Sequence, residues 1–212
     1  MRVLRFFVLM LVTVTWIAGP VSARYSKMFT ENEKRLKRAE ELIGSYSSER
    51  EPESLREASI ELENVDLRKV HDRSVRIKQR EQCLDLWLRL VQTIETNLDP
   101  TFDPTDVRPL NVAPPPLKNG TKLWPGADPA LIDDPKAREE YEKAIKENRE
   151  KQEKALIQPQ LQELDPQVMQ KTAKFVRNNY PDEERAGAKA TIEKTIENEA
   201  RRSRLYKLID DK

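Results

Sequence analysis

The stretch EQCLDLWLRLVQTI, residues 81–94, decides the fold because it carries the strongest apolar stripe of the chain. Leu84, Leu88 and Val91 recur three or four residues apart, while Trp87 and Ile94 widen the same face. This spacing puts apolar side chains on one side of an α-helix, and its seven-residue rhythm is the period of a coiled-coil seam. The stretch therefore predicts an amphipathic helix against which other segments pack.

The single cysteine of the chain, Cys83, lies beside this stripe. One cysteine cannot form an internal disulfide, so the fold must hold by packing alone. Because Leu84 and Trp87 lie on the helix face that is expected to pack against the core, we expect the neighbouring Cys83 to be buried and unpaired. The alternative is a disulfide to another chain.

The segments before this stripe also predict helices. One is expected over 30–44, with Gly44 at its C-terminal end, and Pro52 suits the first turn of the next. The apolar spacing then slips near residues 66–74, where no glycine or proline stands. A hairpin with a turn there would give a more compact core. Since a breaker is missing, we expect instead one long or kinked helix over 52–98.

The middle of the chain is rich in proline, with nine of the fourteen prolines between Pro100 and Pro135. It also carries nine large apolar residues, which a flexible spacer lacks. They are Phe102, Val107, Leu110, Val112, Leu117, Leu123, Trp124, Leu131 and Ile132. We therefore expect residues 101–135 to form an extended clasp along the helices. The alternative is an exposed ligand, in which Leu123-Trp124-Pro125 binds a groove of another protein.

The C-terminal region, 136–212, again predicts helices. Asp134-Pro135 is expected to start a helix over 136–158, Asp165-Pro166 to open another that ends at NNYP, and Asp182 to cap a last one. No segment alternates like a strand, and the chain has only five glycines for tight turns. The expected fold is an all-α, irregular bundle of about five or six helices, formed by regions 24–100 and 136–212 with the clasp between them.

The chain opens with a typical secretory leader. Arg2 and Arg5 precede an apolar run over residues 6–18, and Val21-Ser22-Ala23 forms a cleavage signal. A run this short lies below the roughly 20 residues that a membrane-spanning helix needs, so a cleaved signal peptide over 1–23 is favoured over an uncleaved anchor. We expect a periplasmic or secreted protein with no membrane span after cleavage.

Composition argues against most chemistries. Without Arg2 and Arg5, the chain has 36 basic and 37 acidic residues and a net charge of −1, so nucleic acid is not an expected partner. One histidine and one cysteine cannot supply a usual zinc site, and no phosphate-binding loop or nucleophile motif occurs. His71 stands beside Asp72, but adjacent helical residues point about 100° apart. We expect no catalytic residue, metal or cofactor, and no enzyme. A carboxylate-dependent hydrolase is the remoter alternative.

One stretch, residues 68–80, concentrates positive charge. Its six basic residues against Asp72 give a local charge of +5, which suits a polyanion such as an envelope saccharide or lipid headgroups. They are Arg68, Lys69, Arg73, Arg76, Lys78 and Arg80. The alternative is a solvated helix face.

The segment GADPALIDDPKAREEYEKAIKEN, residues 126–148, resembles a pattern of uncharacterised exported bacterial proteins, D-P-x-x-I-x-D-P-x-x-R-x-E-Y-E-x-A-I. The resemblance covers about 25 residues and implies a bacterial envelope protein, with no activity or site attached. Nearby, Asn119-Gly120-Thr121 matches an N-glycosylation acceptor and fits a turn equally well. Together these observations predict a protein-interaction or scaffolding module whose partner is another envelope or secreted protein.

Overall fold

The computed structural model describes residues 30–103, 113–116, 122–125 and 127–211. The signal peptide expected over 1–23 and the acceptor Asn119 lie outside the described residues. So do four of the apolar residues expected in the clasp, Val107, Leu110, Val112 and Leu117.

The regular structure of the described residues is helical, without a strand, which confirms the all-α prediction. The first helix, α1, covers 30–49 of the described residues. The others are α2 (Pro52–Glu63), α3 (Arg73–Asn97), α4 (Pro135–Asn179), α5 (Asp182–Thr195) and α6 (Glu199–Asp210). Two short 3-10 turns, Leu67–Lys69 and Pro129–Leu131, lie in the connections.

The chain divides into two compact units. Unit one joins the N-terminal segment up to Thr96 with residues 164–212, and unit two comprises residues 97–163. The boundary between residues 163 and 164 falls within α4.

The core of unit one is built on the apolar stripe of α3. Leu84, Trp87, Leu88, Val91 and Ile94 are all at most 2% exposed. Burial of each such side chain stabilises the fold by about 1.5 to 3 kcal/mol before ordering costs. Cys83 is also fully buried and unpaired, as predicted, and burial raises the pKa of its thiol well above the ordinary value.

The long or kinked helix expected over 52–98 is wrong, because α2 ends at Glu63 and α3 begins at Arg73. Two aspartates make the break. Asp66 accepts a hydrogen bond from the amide of Arg68 (3.2 Å), and Asp72 Oδ1 accepts from the amides of Ser74 (2.8 Å) and Val75 (3.1 Å). A carboxylate at these positions satisfies the free N–H groups that begin a helix, so neither glycine nor proline is needed.

A buried amide holds this connection on α1. Asn32 is 1% exposed, and its Nδ2 donates to the carbonyl oxygen of Asp66 (3.2 Å) and to Gln79 Oε1 (3.1 Å). The amide N–H of Asp66 donates in turn to Asn32 Oδ1 (3.3 Å). One side chain therefore satisfies both backbone groups of Asp66 and links α1, the connection and α3.

Gly44 is not the end of the first helix, which continues to residue 49. Tyr46 lies beyond the glycine and is 2% exposed, so its burial favours the longer helix. The helix ends instead at Arg50, whose φ of 53° is the left-handed conformation that glycine usually adopts.

The region expected to form two helices, 136–158 and a second from Pro166, is the single helix α4. It starts at Pro135 and ends before Tyr180-Pro181, as predicted, but it runs through Pro159 and Pro166. Each interior proline costs roughly 3 kcal/mol. Leu161, Leu164 and Val168 are at most 2% exposed, and burying each contributes about 1.5 to 3 kcal/mol, which offsets that cost.

The single last helix capped by Asp182 is also wrong. Pro181 occupies the N-cap of α5 and Asp182 is its first residue. The chain leaves helical geometry at Ile196, which is fully buried, and Asn198 then caps α6 by accepting from the amide of Arg201 (3.2 Å). Asparagine at this position starts a new helix for the same reason that aspartate starts α3.

Unit two fastens an extended segment to α4 through glutamine side chains. Gln158 donates to the carbonyl of Asn97 (2.8 Å) and accepts from the amide of Asp99 (2.8 Å), while Gln162 donates to the carbonyl of Phe102 (3.5 Å). These bonds place residues 97–102 along α4. The last two of these residues are the first two of the predicted clasp, 101–135.

The later part of the clasp segment is only partly buried. Ala127 and Ile132 are at most 3% exposed, whereas Leu131 is 46% and Trp124 is 65% exposed. Burial of Trp124 and Leu131 in a clasp is therefore wrong. Among the described residues of the segment, Ala127 and Ile132 are therefore buried, whereas its largest side chain, Trp124, is not.

We expect Asn32→Ala to lower the free energy of unfolding by about 1 to 3 kcal/mol, because it removes the buried hydrogen bond to Gln79 and leaves the part-buried backbone groups of Asp66 without this partner. Asn64→Ala is the matched control, since that exposed amide bonds only within its own helix end. Urea denaturation of both variants measures the difference. Equal free energies of unfolding for the two variants would contradict a structural role for Asn32.

Candidate functional site: an arginine groove

Four arginines of the basic stretch line one groove on unit one, with a volume of about 470 Å³. We call the surface formed by Arg68, Arg73, Arg76 and Arg80 the arginine groove. Its opposite wall comes from the end of α4 and the start of α5, through Asn178, Asn179, Pro181 and Glu184.

The order of the arginines follows from where α3 begins. Arg73, Arg76 and Arg80 are spaced by three and four residues, so they share one face of the helix. Arg68 belongs to the 3-10 turn that Asp66 caps, just before Asp72 starts α3. The two aspartate caps therefore bring the turn and the helix face to the same groove.

Arg80 is the structural member of the groove. Its side chain is 13% exposed, and its Nη1 lies 2.6 Å from Glu184 Oε2 and donates to the carbonyl of Asn179 (3.3 Å). Its guanidinium lies 4.1 Å from the ring centroid of Tyr180, and burial raises the pKa of that tyrosine to about 12. Arg80 thus joins α3 to the junction of α4 and α5 by charge, hydrogen bond and cation–π contact.

The other three arginines are available to a ligand. Arg73 and Arg76 are exposed and form no ion pair among the described residues. The side chain of Arg68 is 90% exposed, with its Nε 3.5 Å from Asp66 Oδ1. A guanidinium offers a fork of N–H donors that matches carboxylate, phosphate or sulfate, so the groove is suited to an oxyanion.

The two lysines of the basic stretch do not line the groove. Lys69 Nζ lies 3.0 Å from Asp66 Oδ2, and Lys78 is exposed elsewhere on α3. Of the six basic residues expected to act together, the structure therefore brings four to one surface.

A second concave surface, the polar cavity, adjoins the groove. It has a volume of about 580 Å³ and shares Leu67, Arg68, Asn178 and Asn179 with the groove. Its remaining polar lining comes from Glu63, Asn64, Asp66, Lys171 and Lys174. Sequence reasoning missed it because its walls come from the end of α2, the connection to α3, Trp87 and α4, which lie far apart along the chain and carry no shared motif.

Glu63 organises the charged rim of the polar cavity. Its Oε2 lies 3.0 Å from Lys171 Nζ and its Oε1 lies 3.5 Å from Lys174 Nζ. The hydrogen bond from Lys171 holds the pKa of Glu63 below its ordinary value, so the carboxylate is charged at neutral pH. The rim therefore presents one carboxylate acceptor and two ammonium donors within 3.5 Å of it.

The other predicted contact, Leu123-Trp124-Pro125, belongs to unit two. Trp124 is 65% exposed, Pro125 is exposed and Leu123 is half-buried. An exposed tryptophan beside a proline is the arrangement that the ligand alternative requires.

His71 and Asp72 do not resemble a catalytic pair. Asp72 Oδ1 accepts from both the amide and the hydroxyl of Ser74, and from the amide of Val75, which lowers the pKa of this carboxyl group. Asp72 is therefore occupied as a helix cap. Among the residues that the structure describes, no group of three or more His, Cys, Asp or Glu side chains is placed to hold a metal ion. In the same residues, no helix combines the length and hydropathy needed to cross a membrane.

Comparison of the chain with protein-family models, with curated proteins and with solved structures gives no match. The family resemblance of residues 126–148 therefore stays a prediction.

The residues that carry this resemblance have structural roles in unit two. Asp128 and Asp134 cap the 3-10 turn and α4, by accepting from the amides of Ala130 (2.9 Å) and Lys136 (3.1 Å). Arg138 donates twice to the carbonyl of Ile132, at 3.1 and 2.7 Å. The pattern thus describes how a turn enters a helix rather than a binding site.

We expect Arg80→Ala to lower the free energy of unfolding by about 1 to 3 kcal/mol, because it removes a part-buried hydrogen bond, the cation–π contact and side-chain packing. Arg76→Ala, one turn away and exposed, should change it by less than about 0.5 kcal/mol. Thermal and urea unfolding of both variants test the distinction. Comparable losses would contradict the division into a structural arginine and ligand-facing ones.

Proposed function

We propose that this chain is an exported, non-enzymatic binding module that acts by contact, and that its arginine groove recognises anionic groups on a component of the bacterial envelope or on a secreted partner. The observation that carries the proposal is the presence of Arg73 and Arg76 on one groove wall without an ion pair among the described residues.

The charge distribution supports an anionic partner. Four arginines face one carboxylate, Glu184, which already pairs with Arg80. Like charges one helical turn apart, such as Arg76 and Arg80, cost about 0.2 to 0.5 kcal/mol per pair. An anion in the groove reverses that repulsion, so binding gains both from new hydrogen bonds and from relief of the local charge.

The remaining features agree with a role outside the cytoplasm. The expected signal peptide over 1–23 directs export, and the single cysteine is buried, which protects it from oxidising conditions. The nearest candidate for proton transfer, the pair His71 and Asp72, has its carboxylate engaged at the start of α3. Binding, unlike catalysis, needs no proton transfer, so the proposed role agrees with the engagement of Asp72 as a helix cap.

We expect Arg73→Gln/Arg76→Gln to lose at least about tenfold in affinity for a sulfated resin at low ionic strength, since two forked donors are removed from the groove. Lys69→Gln/Lys78→Gln is the matched control, because it removes the same charge from the same stretch but outside the groove. Elution by a salt gradient and a titration with soluble sulfated polymer measure both variants.

Equal weakening by the arginine and lysine variants would mean that net charge alone drives binding, and would contradict a groove. Retention that does not change with salt would contradict an ionic contact altogether. Circular dichroism of each variant checks that the helices are retained.

A second contact, made with protein, is favoured by the exposure of Trp124. Tryptophan is frequent among the residues that dominate protein interfaces, and here it begins a turn in which its carbonyl accepts from the amide of Ala127 (3.1 Å). This contact suits the interaction-module or scaffolding role, with another envelope or secreted protein as the partner. It uses unit two, whereas the arginine groove belongs to unit one.

We expect Trp124→Ala to abolish at least one specific contact in a pull-down from the cell envelope fraction, because it removes the largest exposed apolar side chain of the segment. Leu131→Ala, which truncates another exposed apolar residue of unit two, is the control. A partner that binds the unmodified protein and the control but not Trp124→Ala supports the contact. Identical partners for all three proteins would contradict it.

A further inference from the structure

We infer that the arginine groove and the polar cavity form one binding site, and that its ligand is an anionic saccharide, with acidic groups in the groove and sugar hydroxyls in the cavity. The inference rests on the proposed function and adds the chemical class of the ligand.

The two concave surfaces are neighbours. Leu67 and Arg68 from the connection before α3, and Asn178 and Asn179 from the end of α4, line both of them. A ligand seated against Arg68 and Asn178 therefore has the arginines on one side and the cavity on the other. The cavity volume of about 580 Å³ lies in the range of roughly 300 to 1,000 Å³ that is usual for small-molecule sites.

The cavity presents donors and acceptors together. The Nδ2 groups of Asn64 and Asn179 donate to carbonyls of their own helices, at 2.9 Å each, which leaves their Oδ1 atoms as acceptors. Lys171 and Lys174 add donors, and Glu63 adds a further acceptor. A sugar hydroxyl both donates and accepts, so a ring with several hydroxyls matches this lining, whereas a sulfate ion only accepts.

The same lining argues against a lipid surface and against a uniform polyanion. Of the apolar residues at the cavity wall, Leu62, Leu67, Trp87 and Phe175 are at most 8% exposed and only Val65 is half-buried, so the wall has no continuous apolar surface for an acyl chain. Lys171 and Lys174 are already paired with Glu63, whereas Arg73 and Arg76 form no ion pair among the described residues, so an anion gains more in the groove than in the cavity. Negative groups are therefore directed to the groove, and uncharged hydroxyls to the cavity.

The test compares two probes of similar charge, a tetrasaccharide of galacturonic acid and a tetraglutamate peptide, by titration calorimetry with the full chain. We expect the saccharide to bind at least about tenfold more tightly, because only the saccharide has hydroxyls for the cavity. Arg73→Gln/Arg76→Gln should weaken both probes.

A cavity variant separates the saccharide from the anion. Asn64→Ala should weaken the saccharide by about three- to tenfold and leave the peptide unchanged, since it removes one neutral hydrogen-bonding group from the cavity. Gln170→Ala, an exposed amide on α4 that lines neither surface, is the control and should change neither probe.

The outcomes distinguish failure of the saccharide inference from failure of the proposed anion-binding function. Equal affinity for the two probes, with no effect of Asn64→Ala, overturns the saccharide and leaves an anion-binding groove in place. Tighter binding to phosphatidylglycerol vesicles than to the saccharide, with competition between them, also overturns it in favour of lipid headgroups. Binding of no anionic probe overturns both the inference and the proposed groove function.

Discussion

The buried amide of Asn32 determines where the chain leaves α2 and enters α3. By satisfying the N–H and C=O of Asp66, it lets a turn of unpaired backbone pack against α1 without the desolvation penalty of about 1 to 3 kcal/mol per group. Its contact with Gln79 extends the same restraint to α3. The burial of the α3 stripe and the position of the arginines both depend on this break, because an uninterrupted helix would carry residues 68–80 along a different line.

The break also explains how one charged stretch serves two purposes. Arg80 is fixed by Glu184, Asn179 and the ring of Tyr180, and so contributes to the packing of α3 on the α4–α5 junction. Arg76 and Arg73 lie one and two turns earlier on the same face and stay exposed. A single face of α3 thus carries both a structural contact, at Arg80, and an open binding surface, at Arg73 and Arg76. The contacts of Arg80 hold the groove in a fixed geometry.

The helical class and the burial of Cys83 could be predicted from apolar spacing, because periodicity reports which face leaves water. The helix ends could not, since they depend on tertiary contacts of single polar residues. Asn32 reaches Asp66 across 34 positions, and no local pattern signals that pairing. Likewise, the continuity of α4 through Pro159 and Pro166 follows from the burial of nearby leucines, which outweighs a local helix-breaking rule. The run of basic residues in the sequence predicted the arginine groove. The polar cavity could not be predicted in this way, because it forms only when α2 and α4 come together in the fold.

The central claim is that Arg73 and Arg76 form an open oxyanion site while Arg80 is already engaged through its Nη1 atom by Glu184 and Asn179. Arginine Nε–Hε resonances report this directly when sulfate is titrated into the protein at low ionic strength. The account predicts saturable shifts of the Arg73 and Arg76 signals, smaller changes at Arg80, and none at Arg35, which pairs with Glu31 and Glu61 away from the groove. Shifts of equal size at Arg35 and Arg73, or no saturation at Arg73 and Arg76, would contradict it.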